Sequence, residues 1–533
     1  TVGERAYVTT TGGELISVSP EGERDVEAIG VGPITRTGPD GLVWAAFPEQ
    51  RRVSSYDQRG ERKTVLEVDG DVTAIAAPED TDRVYVAVGA EVLSYDAGSQ
   101  KVQDRIGGAA DHLGTVPETT AVWAVTGRDA RIIEPHSAVV IGRTTFDRAP
   151  DVLTVDPIEH RLIGIAKGNL ECASGRPQFA WRLGSAVMGS VMIAAIFLIA
   201  LRLTGNLVVG LLASLFLLID GLAFTMSRMA MNDSYATGFM LVTWFCALSA
   251  LRASGRGRSD ALLVVTRRDR LVAAGWLAAA GVFAGLGFAS KWPVFYGMVG
   301  VGALMLWDAA TRKRRSIWYI GGGVGRGSVI VLLTLVALPL AIYLLTYVPY
   351  FRLGHNLGDW FELQQSMFDY HASLTATHPF GSPWYGWPFG YRAVYLYLTQ
   401  FGAERAEIWS IPNLVVGVGG LVAMGVVIGE AFKRRSGPLA IIALGALVQY
   451  LPWIAVTRVT FMYHYLPVIP FLALALAWLL IVRLREHPHQ RAIAIAVVSV
   501  AVVFFLALYP ILVGWQMPSG YGDAVRALIP WVI

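Results

Sequence analysis

Apolar blocks close to twenty residues long follow one another through the last two thirds of this 533-residue chain. A helix of that length and composition matches the hydrocarbon thickness of a lipid bilayer. The sequence therefore predicts an α-helical polytopic membrane protein with about ten spans. The blocks are 184–203, 206–224, 235–251, 271–290, 294–309, 328–347, 412–432, 438–455, 464–482 and 492–514.

The first 170 residues are charged and rich in turns, and short strand-like pieces recur in them. The aligned residues Tyr7, Trp44, Tyr85, Trp123 and Ile163 are 37, 41, 38 and 40 residues apart. A period near forty with several β-rich stretches per unit is typical of propeller blades. We predict an N-terminal all-β, propeller-like domain of four to five blades, with an irregular β-sandwich as the alternative. No catalytic cluster stands out in it, which favours a binding or spacer role.

Composition limits the partners. The net charge is only +3, and no basic stripe interleaved with aromatic residues occurs in the polar part, so nucleic acid is not expected. Of the two cysteines, Cys246 lies inside an apolar block, which argues against a disulfide with Cys172.

Charge orients the spans. The loops after the third, fifth, seventh and ninth blocks are basic and lie on one side, which the positive-inside rule makes cytoplasmic. The propeller-like domain, the long loop after the sixth block and the C-terminus then face outward. The basic residues are Arg252, Arg256, Arg258, Arg267, Arg268, Arg270, Arg312, Lys313, Arg314, Arg315, Lys433, Arg434, Arg435, Arg483, Arg485 and Arg491.

These patterns divide the chain into predicted segments. The long outward loop is expected to be ordered but non-helical, with "YRAVYLYLTQF" after its aromatic motif as an interfacial amphipathic helix. The segments are the propeller-like domain 1–170, a linker into the membrane 171–183, the first helix group 184–347, the outward loop 348–411, the second helix group 412–514 and an outward tail 515–533.

Each short outward loop carries one cation: Arg228 in "MSRMAMND", Lys291 in "ASKWP" and Arg458 in "TRVTFMYHY". Lone cations at membrane depth are costly and so indicate an anion site, although snorkelling to lipid headgroups is an alternative for each. A phosphate group at the outer membrane surface would suit them. Asp233, near Arg228, is the best candidate for a catalytic carboxylate, and its alternative role is an ion pair with Arg228.

The stretch "FDYHASLTATHPFGSPWYGW" of the long loop is too polar to span a bilayer. We interpret it as a lid that shapes access of an acceptor. Its histidines lack ligand-like spacing with cysteines or carboxylates, so no metal is expected. The alternative role of Asp369 is a hydrogen bond within its own loop. The alternative role of the tryptophans is to form part of an interfacial aromatic belt. The candidate residues are Asp369, His371, His378, Trp384 and Trp387.

Four stretches in order, "LIDGLAFTMSRMAMNDSYATGF", "GLGFASKWPVFY", "DYHASLTATHPFGSPWYGWP" and "RVTFMYHYLP", resemble the polyprenyl-phosphate-dependent protein O-mannosyltransferase family of GT-C glycosyltransferases. The resemblance covers about residues 178–515. It implies a GT-C-like membrane enzyme that transfers a sugar from a lipid-linked phosphate to an acceptor, usually a protein hydroxyl, with inversion and without a nucleotide sugar.

The resemblance also assigns roles residue by residue. Arg228 and Asp233 fall on the family's "SR…D" motif near the sugar phosphate, and the cation of its "KW" motif meets the donor phosphate. The histidines of the long loop match as well. The donor-binding candidates are then Arg228, Lys291, Trp292, Arg458, Tyr463, His464 and Tyr465, the last four from the late "YHY" region.

One departure from the family is marked. The family has eleven spans and an Asp-Glu pair before its second helix, whose Asp is the expected general base. No Asp-Glu dipeptide occurs in this chain, and its first apolar block resembles the family's second helix. We therefore expect the first span and the acidic pair to lie upstream of Thr1, with the propeller inserted in the first outward loop. A non-catalytic relative is the alternative.

The sequence thus predicts a glycosyltransferase integral to a bacterial plasma membrane, with its site outside the cytoplasm. Expected partners are the bilayer, a polyprenyl-phosphate sugar (mannose by the resemblance) and a protein acceptor, with either a propeller ligand or the Sec translocon in addition. No cofactor beyond the lipid-linked donor is expected. The alternative is a propeller receptor or scaffold anchored by the bundle. A transporter ranks last, because no inverted repeat is visible.

Overall fold

The structure is a computed structural model, and it separates into two compact units, residues 1–178 and 179–533. The basic-loop residues Arg256, Arg258, Lys313, Arg314 and Arg315 lie outside the described part of the chain. The described residues are 6–9, 13–18, 24–36, 42–57, 61–78, 81–115, 121–134, 139–146, 148–155, 162–166, 169–172, 178–254, 266–312, 316–320 and 323–532.

The first unit contains five successive antiparallel sheets, in each of which neighbouring strands follow one another in the chain. The first sheet has β1 (Ala6–Thr9), β2 (Glu14–Val18) and β3 (Arg24–Ile29); the second β4 (Ile34–Arg36), β5 (Val43–Phe47), β6 (Arg52–Tyr56) and β7 (Arg62–Glu67); the third β8 (Val72–Ala76), β9 (Arg83–Val88), β10 (Glu91–Asp96) and β11 (Val102–Gly107); the fourth β12 (His112–Thr115), β13 (Val122–Thr126), β14 (Asp129–Glu134) and β15 (Val139–Thr145); the fifth β16 (Val152–Val155), β17 (Leu162–Ala166) and β18 (Asn169–Cys172).

The forty-residue repeat of the sequence corresponds to one sheet per period, since each aligned residue lies on a strand of a different sheet. Trp44, Tyr85 and Trp123 are buried on β5, β9 and β13. Apolar residues on alternating strand positions therefore build a core between successive sheets. The predicted β-rich N-terminal region is confirmed, whereas closure of the sheets into a propeller stays a prediction.

The second unit is a helical bundle. Its helices are α1 (Gln178–Thr204), α2 (Leu207–Leu218), α3 (Gly221–Arg228), α4 (Asn232–Ser254), α5 (Arg267–Ser290), α6 (Val294–Arg312), α7 (Val324–Leu332), α8 (Leu338–Leu345), α9 (Val348–Arg352), α10 (Leu357–Ser373), α11 (Leu414–Arg434), α12 (Gly437–Tyr450), α13 (Ile469–Trp478), α14 (Gln490–Val513) and α15 (Ser519–Leu528); it also has β19 (Val394–Phe401), β20 (Glu404–Ser410) and β21 (Met517–Pro518).

All ten apolar blocks fall on helices, which confirms the predicted membrane fold. Within the described residues, eight helical segments are long and apolar enough to cross a bilayer. The block 206–224 is instead a pair, α2 and α3, bent by 63°, and the ninth block forms a shorter apolar helix, Ile469–Arg483. Of the ten predicted blocks, eight are thus continuous helices long enough to span within the described residues, one is a bent pair and one is a shorter apolar helix.

The bend between α2 and α3 is held by Asp220. Its carboxylate caps α3 by accepting a hydrogen bond from Ala223 N at 2.9 Å, and it accepts a second from Asn413 N at 2.8 Å. The Asn413 side chain donates in turn to the carbonyl oxygens of Ile219 and Ala501. Backbone groups freed by a break at membrane depth must find partners inside the protein, and these contacts supply them.

The long outward loop differs from its prediction. Helix α10 occupies 357–373, where a non-helical segment was expected, and it begins with a capping box between Asn356 and Asp359. The stretch 391–401, predicted as an amphipathic helix, contains strand β19, paired with β20 through a turn at Gly402. Its aromatic and β-branched residues favour a strand, and Tyr395 packs against Trp409 opposite it.

The C-terminal tail completes this outer sheet. Strand β21 pairs with β20, and Ala393 N donates to Val532 O at 2.6 Å. Glu407, only 1% exposed, forms an ion pair with Arg526 at 3.0 Å and accepts a hydrogen bond from Trp409 Nε1 at 2.7 Å. The buried carboxylate is thus compensated by two cations, Arg405 on the same strand and Arg526 more than a hundred residues later in the chain.

Candidate active site

The centre of the candidate site is an ion pair between the start of α4 and the end of α5. Pro293 lacks a backbone N–H and disfavours helix before it, so α5 ends at Ser290 and Lys291 leaves the helix. Lys291 Nζ lies 2.7 Å from Asp233 Oδ1. The Asp233 side chain is 4% exposed and that of Lys291 22%, so the pair is largely withdrawn from water.

Further positive charge surrounds this pair. Lys291 Nζ lies 5.0 Å from the centre of the Tyr463 ring, a cation–π contact. Loss of water around the ring, and then the charges of Arg458 and Lys291, lower the pKa of His371 below its usual value. Within the described residues Arg458 has no carboxylate partner, and its guanidinium donates only to Val459 O at 3.3 Å. Arg458 and Lys291 thus both act electrostatically on His371, and a guanidinium without a carboxylate partner among the described residues is suited to bind an anion.

A group of aromatic rings packs together next to the Asp233–Lys291 ion pair. The buried His464 ring lies 4.4 Å from the Trp453 ring, 4.7 Å from Tyr463 and 6.1 Å from Trp387. Burial, more than the nearby cations, lowers the pKa of His464 well below its usual value, so the imidazole is neutral. His464 Nδ1 lies 3.0 Å from Phe461 O, which fixes the ring in place.

Two of the residues predicted to bind the sugar donor, Arg228 and Trp292, form hydrogen bonds to other parts of the bundle instead. Arg228 Nη1 donates to Leu512 O at 2.9 Å, so it joins the end of α3 to the end of α14. Asp233 pairs with Lys291, and the alternative of an Arg228–Asp233 pair was therefore wrong. Trp292 Nε1 donates to Tyr343 OH at 3.1 Å, and that hydroxyl donates to Gln364 Oε1 at 2.5 Å. Trp292 thus connects α5 with α8 and α10.

The remaining predicted residues divide between surface and core. Asp369 and His378 are exposed, and the His378 ring lies 5.2 Å from Phe461. Trp384 O accepts a hydrogen bond from Tyr450 OH at 2.9 Å. Trp387 and Tyr465 are fully buried, with ring centres 6.2 Å apart.

A cavity of about 380 Å³, including its opening, lies against the ion pair. Sequence reasoning named three of its lining residues and missed the others, among them Thr237 and Gln449. Both carried a readable signal, since Gln449 is the one amide inside its apolar block and Thr237 is one helical turn from Asp233. The lining residues are Asp233, Ala236, Thr237, Met240, Lys291, Pro293, Val294, Tyr296, Gln449, Trp453, His464 and Pro467.

A second, apolar cavity of about 1,320 Å³ lies between α5, α6 and the α7–α8 segment. Phe288 lines it and stacks on Trp292 at 6.4 Å, so the cavity ends close to Lys291. Along α6 it extends from Phe295 to Leu306, about 17 Å at ~1.5 Å per residue. Over the described part of the chain, no group of three or more His, Cys, Asp or Glu residues could hold a metal ion.

Comparisons with known proteins match the membrane unit. Residues 166–354 match the family described as dolichyl-phosphate-mannose-protein mannosyltransferase, and 356–531 the C-terminal four-span region of protein O-mannosyltransferase. A polyprenol-phosphate-mannose–protein mannosyltransferase of Mycobacterium tuberculosis is 27% identical over 362 residues, 60% of this chain and 68% of the relative. One from Mycolicibacterium smegmatis is 26% identical over 405 residues, 68% of this chain and 77% of that protein.

The fold is also similar to a solved structure. In the Saccharomyces cerevisiae protein O-mannosyltransferase Pmt1–Pmt2 complex bound to the sugar donor, one chain superposes with a TM-score of 0.54 at 13% identity. The match covers 66% of this chain and 81% of that one. At this identity the likeness concerns the fold alone.

Proposed function

Since the chain belongs to the dolichyl-phosphate-mannose-protein mannosyltransferase family, we propose that it transfers mannose from polyprenyl-phosphate-mannose to a protein hydroxyl, outside the cytoplasm and with inversion at the sugar carbon. The observation that carries this proposal is the Asp233–Lys291 pair, with Arg458 and His371 beside it, at the edge of a closed-in cavity. A mere membrane anchor for a receptor would need none of these groups.

Lys291 and Arg458 bind the donor phosphate in this proposal. When the bond between the sugar carbon and the phosphate oxygen breaks, the bonding electrons stay with the phosphate, whose negative charge increases. Two cations held in a site with little water stabilise that charge more in the transition state than before it. Arg458 is suited to this role because no carboxylate among the described residues pairs with its guanidinium.

A carboxylate must take the proton of the acceptor hydroxyl as its oxygen attacks the sugar carbon from the face opposite the phosphate. Asp233 is the described carboxylate that lines the cavity. Lys291 holds Oδ1, while the buried Oδ2 has no hydrogen-bond partner within the described residues. We assign the proton to Oδ2.

The apolar cavity is the proposed binding site of the prenyl chain of the donor. Its lining is almost wholly aliphatic and aromatic, from Trp318 at one end to Phe288 at the other. A chain lying there would bring its phosphate to Lys291, because Phe288 stacks on the neighbouring Trp292. Helix α10 and the loop with His378 lie over the same end of the bundle, where a protein acceptor would approach.

Arg458→Gln is the variant that tests this function. Because Arg458 has no ion-pair partner in the part of the chain that the structure describes, the substitution should leave no known partner unpaired and folding intact. Transfer of labelled mannose from polyprenyl-phosphate-mannose in membranes is expected to fall by about a hundredfold, as on removal of one group that stabilises an oxyanion. The matched control is Arg485→Gln, an exposed cation at the other end of the bundle. Unchanged transfer by Arg458→Gln, or an equal loss in the control, would contradict the proposal.

A further inference from the structure

Three buried polar atoms without partners face the cavity beside Lys291. They are Asp233 Oδ2, Thr237 Oγ1 and Gln449 Nε2, and none has a hydrogen-bond partner within the described residues. The side chains of Thr237 and Gln449 are 0% and 3% exposed, so bulk water does not solvate them in place of a partner.

Such groups are rare, because the great majority of buried polar atoms in folded proteins are hydrogen-bonded. A buried water forms about three hydrogen bonds, so water is the alternative occupant of the cavity. Three in one cavity, on two helices that are far apart in the chain, indicate a space built for a guest with several hydroxyl groups.

The packing around Gln449 makes room for its amide. The amide lies against Gly297 of α6, where an added Cβ atom would come within 2.6 Å of Nε2 and within 2.7 Å of Met240 Cγ. Aromatic rings of Tyr296 and Trp453 form other walls of the same cavity. Polar atoms at the base and rings at the sides suit a sugar, which presents hydroxyls at its edge and C–H groups on its faces.

We propose that Thr237 and Gln449 bind hydroxyl groups of the sugar ring of the donor and so determine which hexose is transferred. The inference rests on the proposed function, since the sugar carbon is one bond from the phosphate that Lys291 and Arg458 would hold. Thr237 Oγ1 both donates and accepts, and Gln449 Nε2 donates. Sugars that differ in the direction of one hydroxyl would leave one of these atoms unpaired, which is the strongest source of substrate discrimination.

The test uses Thr237→Val and Gln449→Met, which remove the polar atoms with little change in shape. Each is assayed in membranes with polyprenyl-phosphate donors that carry mannose, glucose, or mannose lacking a single hydroxyl. For each variant, kcat/KM with mannose is expected to fall at least tenfold. With one of the deoxymannose donors it should fall less than twofold, because the hydroxyl that the lost group bound is already missing.

Ser249→Ala is the control, a buried hydroxyl on the same helix that bonds to Phe245 O at 2.7 Å away from the cavity. It should not change the preference among donors. An equal loss with every donor would mean that the groups hold only structural water or support packing, and would overturn the inference. So would no loss at all. A wild-type protein inactive with every donor would overturn the proposed function itself, which separates the two failures.

Discussion

Replacing Lys291 should destabilise the fold and abolish transfer, for two different reasons. A second substitution, at Asp233, can distinguish the effect on stability from the effect on transfer. In Lys291→Met the Asp233 carboxylate, 4% exposed, loses its ion-pair partner, while its other oxygen already has none within the described residues. A buried charge left without a counter-charge is strongly unfavourable. Loss of the cation also removes a group that we assign to the donor phosphate.

The magnitude follows from the burial. Breaking a buried ion pair by removing one partner costs roughly 3–5 kcal/mol. Because Lys291 is 22% exposed, water reaches part of the site, and the lower end of about 3 kcal/mol applies. That corresponds to a more than hundredfold decrease in the ratio of folded to unfolded protein, at about 1.4 kcal/mol per tenfold.

The assay compares Lys291→Met, Asp233→Asn and the double variant. Thermal unfolding in detergent gives the stability, and transfer of labelled mannose in membranes gives the activity. The double variant removes both charges, so its free energy of unfolding should return to within about 1 kcal/mol of the wild type. Its transfer should stay low, by a factor of about a hundred or more. Lys433→Met, an exposed lysine at the end of α11, is the control.

Two results would refute this reasoning. If the double variant is as unstable as Lys291→Met, the unpaired Asp233 carboxylate is not the cause of the destabilisation. If the double variant regains both stability and transfer, Lys291 serves only as the counter-charge of Asp233 and does not bind the phosphate.

Two further predictions concern pH and orientation. The lowered pKa of His371 means that the free enzyme keeps this ring neutral; a bound phosphate would offset the cations and raise the pKa, so binding takes up a proton. The KM for the donor should therefore decrease as the pH is lowered from about 7 to about 5.5. His371→Gln should flatten that dependence, and an unchanged slope in this variant would refute the role of His371. For orientation, Thr377→Cys should react with an impermeant reagent from outside and Glu486→Cys only after permeabilisation, in a chain with its native cysteines replaced; the reverse pattern would invert the topology.

The helical blocks could be predicted from the sequence because bilayer thickness imposes a length on every apolar helix. The bend at Asp220 could not, since it depends on a contact with Asn413, which is far away in the chain. Strand β19 was predicted as a helix because its aromatic residues fit an interfacial helix too, whereas in the structure it pairs with β20. The capping box at Asn356 was readable and would have revealed α10.

For the candidate site, the motifs named residues but not their partners. Lys291 belongs to a different loop from Arg458 and Tyr463, and only the tertiary structure brings the lysine over the tyrosine ring. The partner of Asp233 was misjudged because Arg228 is nearer in sequence, whereas the antiparallel contact of α4 and α5 makes Lys291 nearer in space. Thr237 and Gln449 were overlooked because uncharged polar residues inside apolar helices are weak evidence by themselves.

The ion pair between Glu407 and Arg526 has a consequence for how the chain is made. Arg526 is synthesised 119 residues after Glu407, roughly 6–24 s later at ~5–20 residues per second. During that interval the outer hairpin lacks β21 and the second cation of Glu407, while Arg405 on the same strand is already its partner. The outer sheet therefore gains its third strand and the second cation at Glu407 only after the chain has been translated past Arg526.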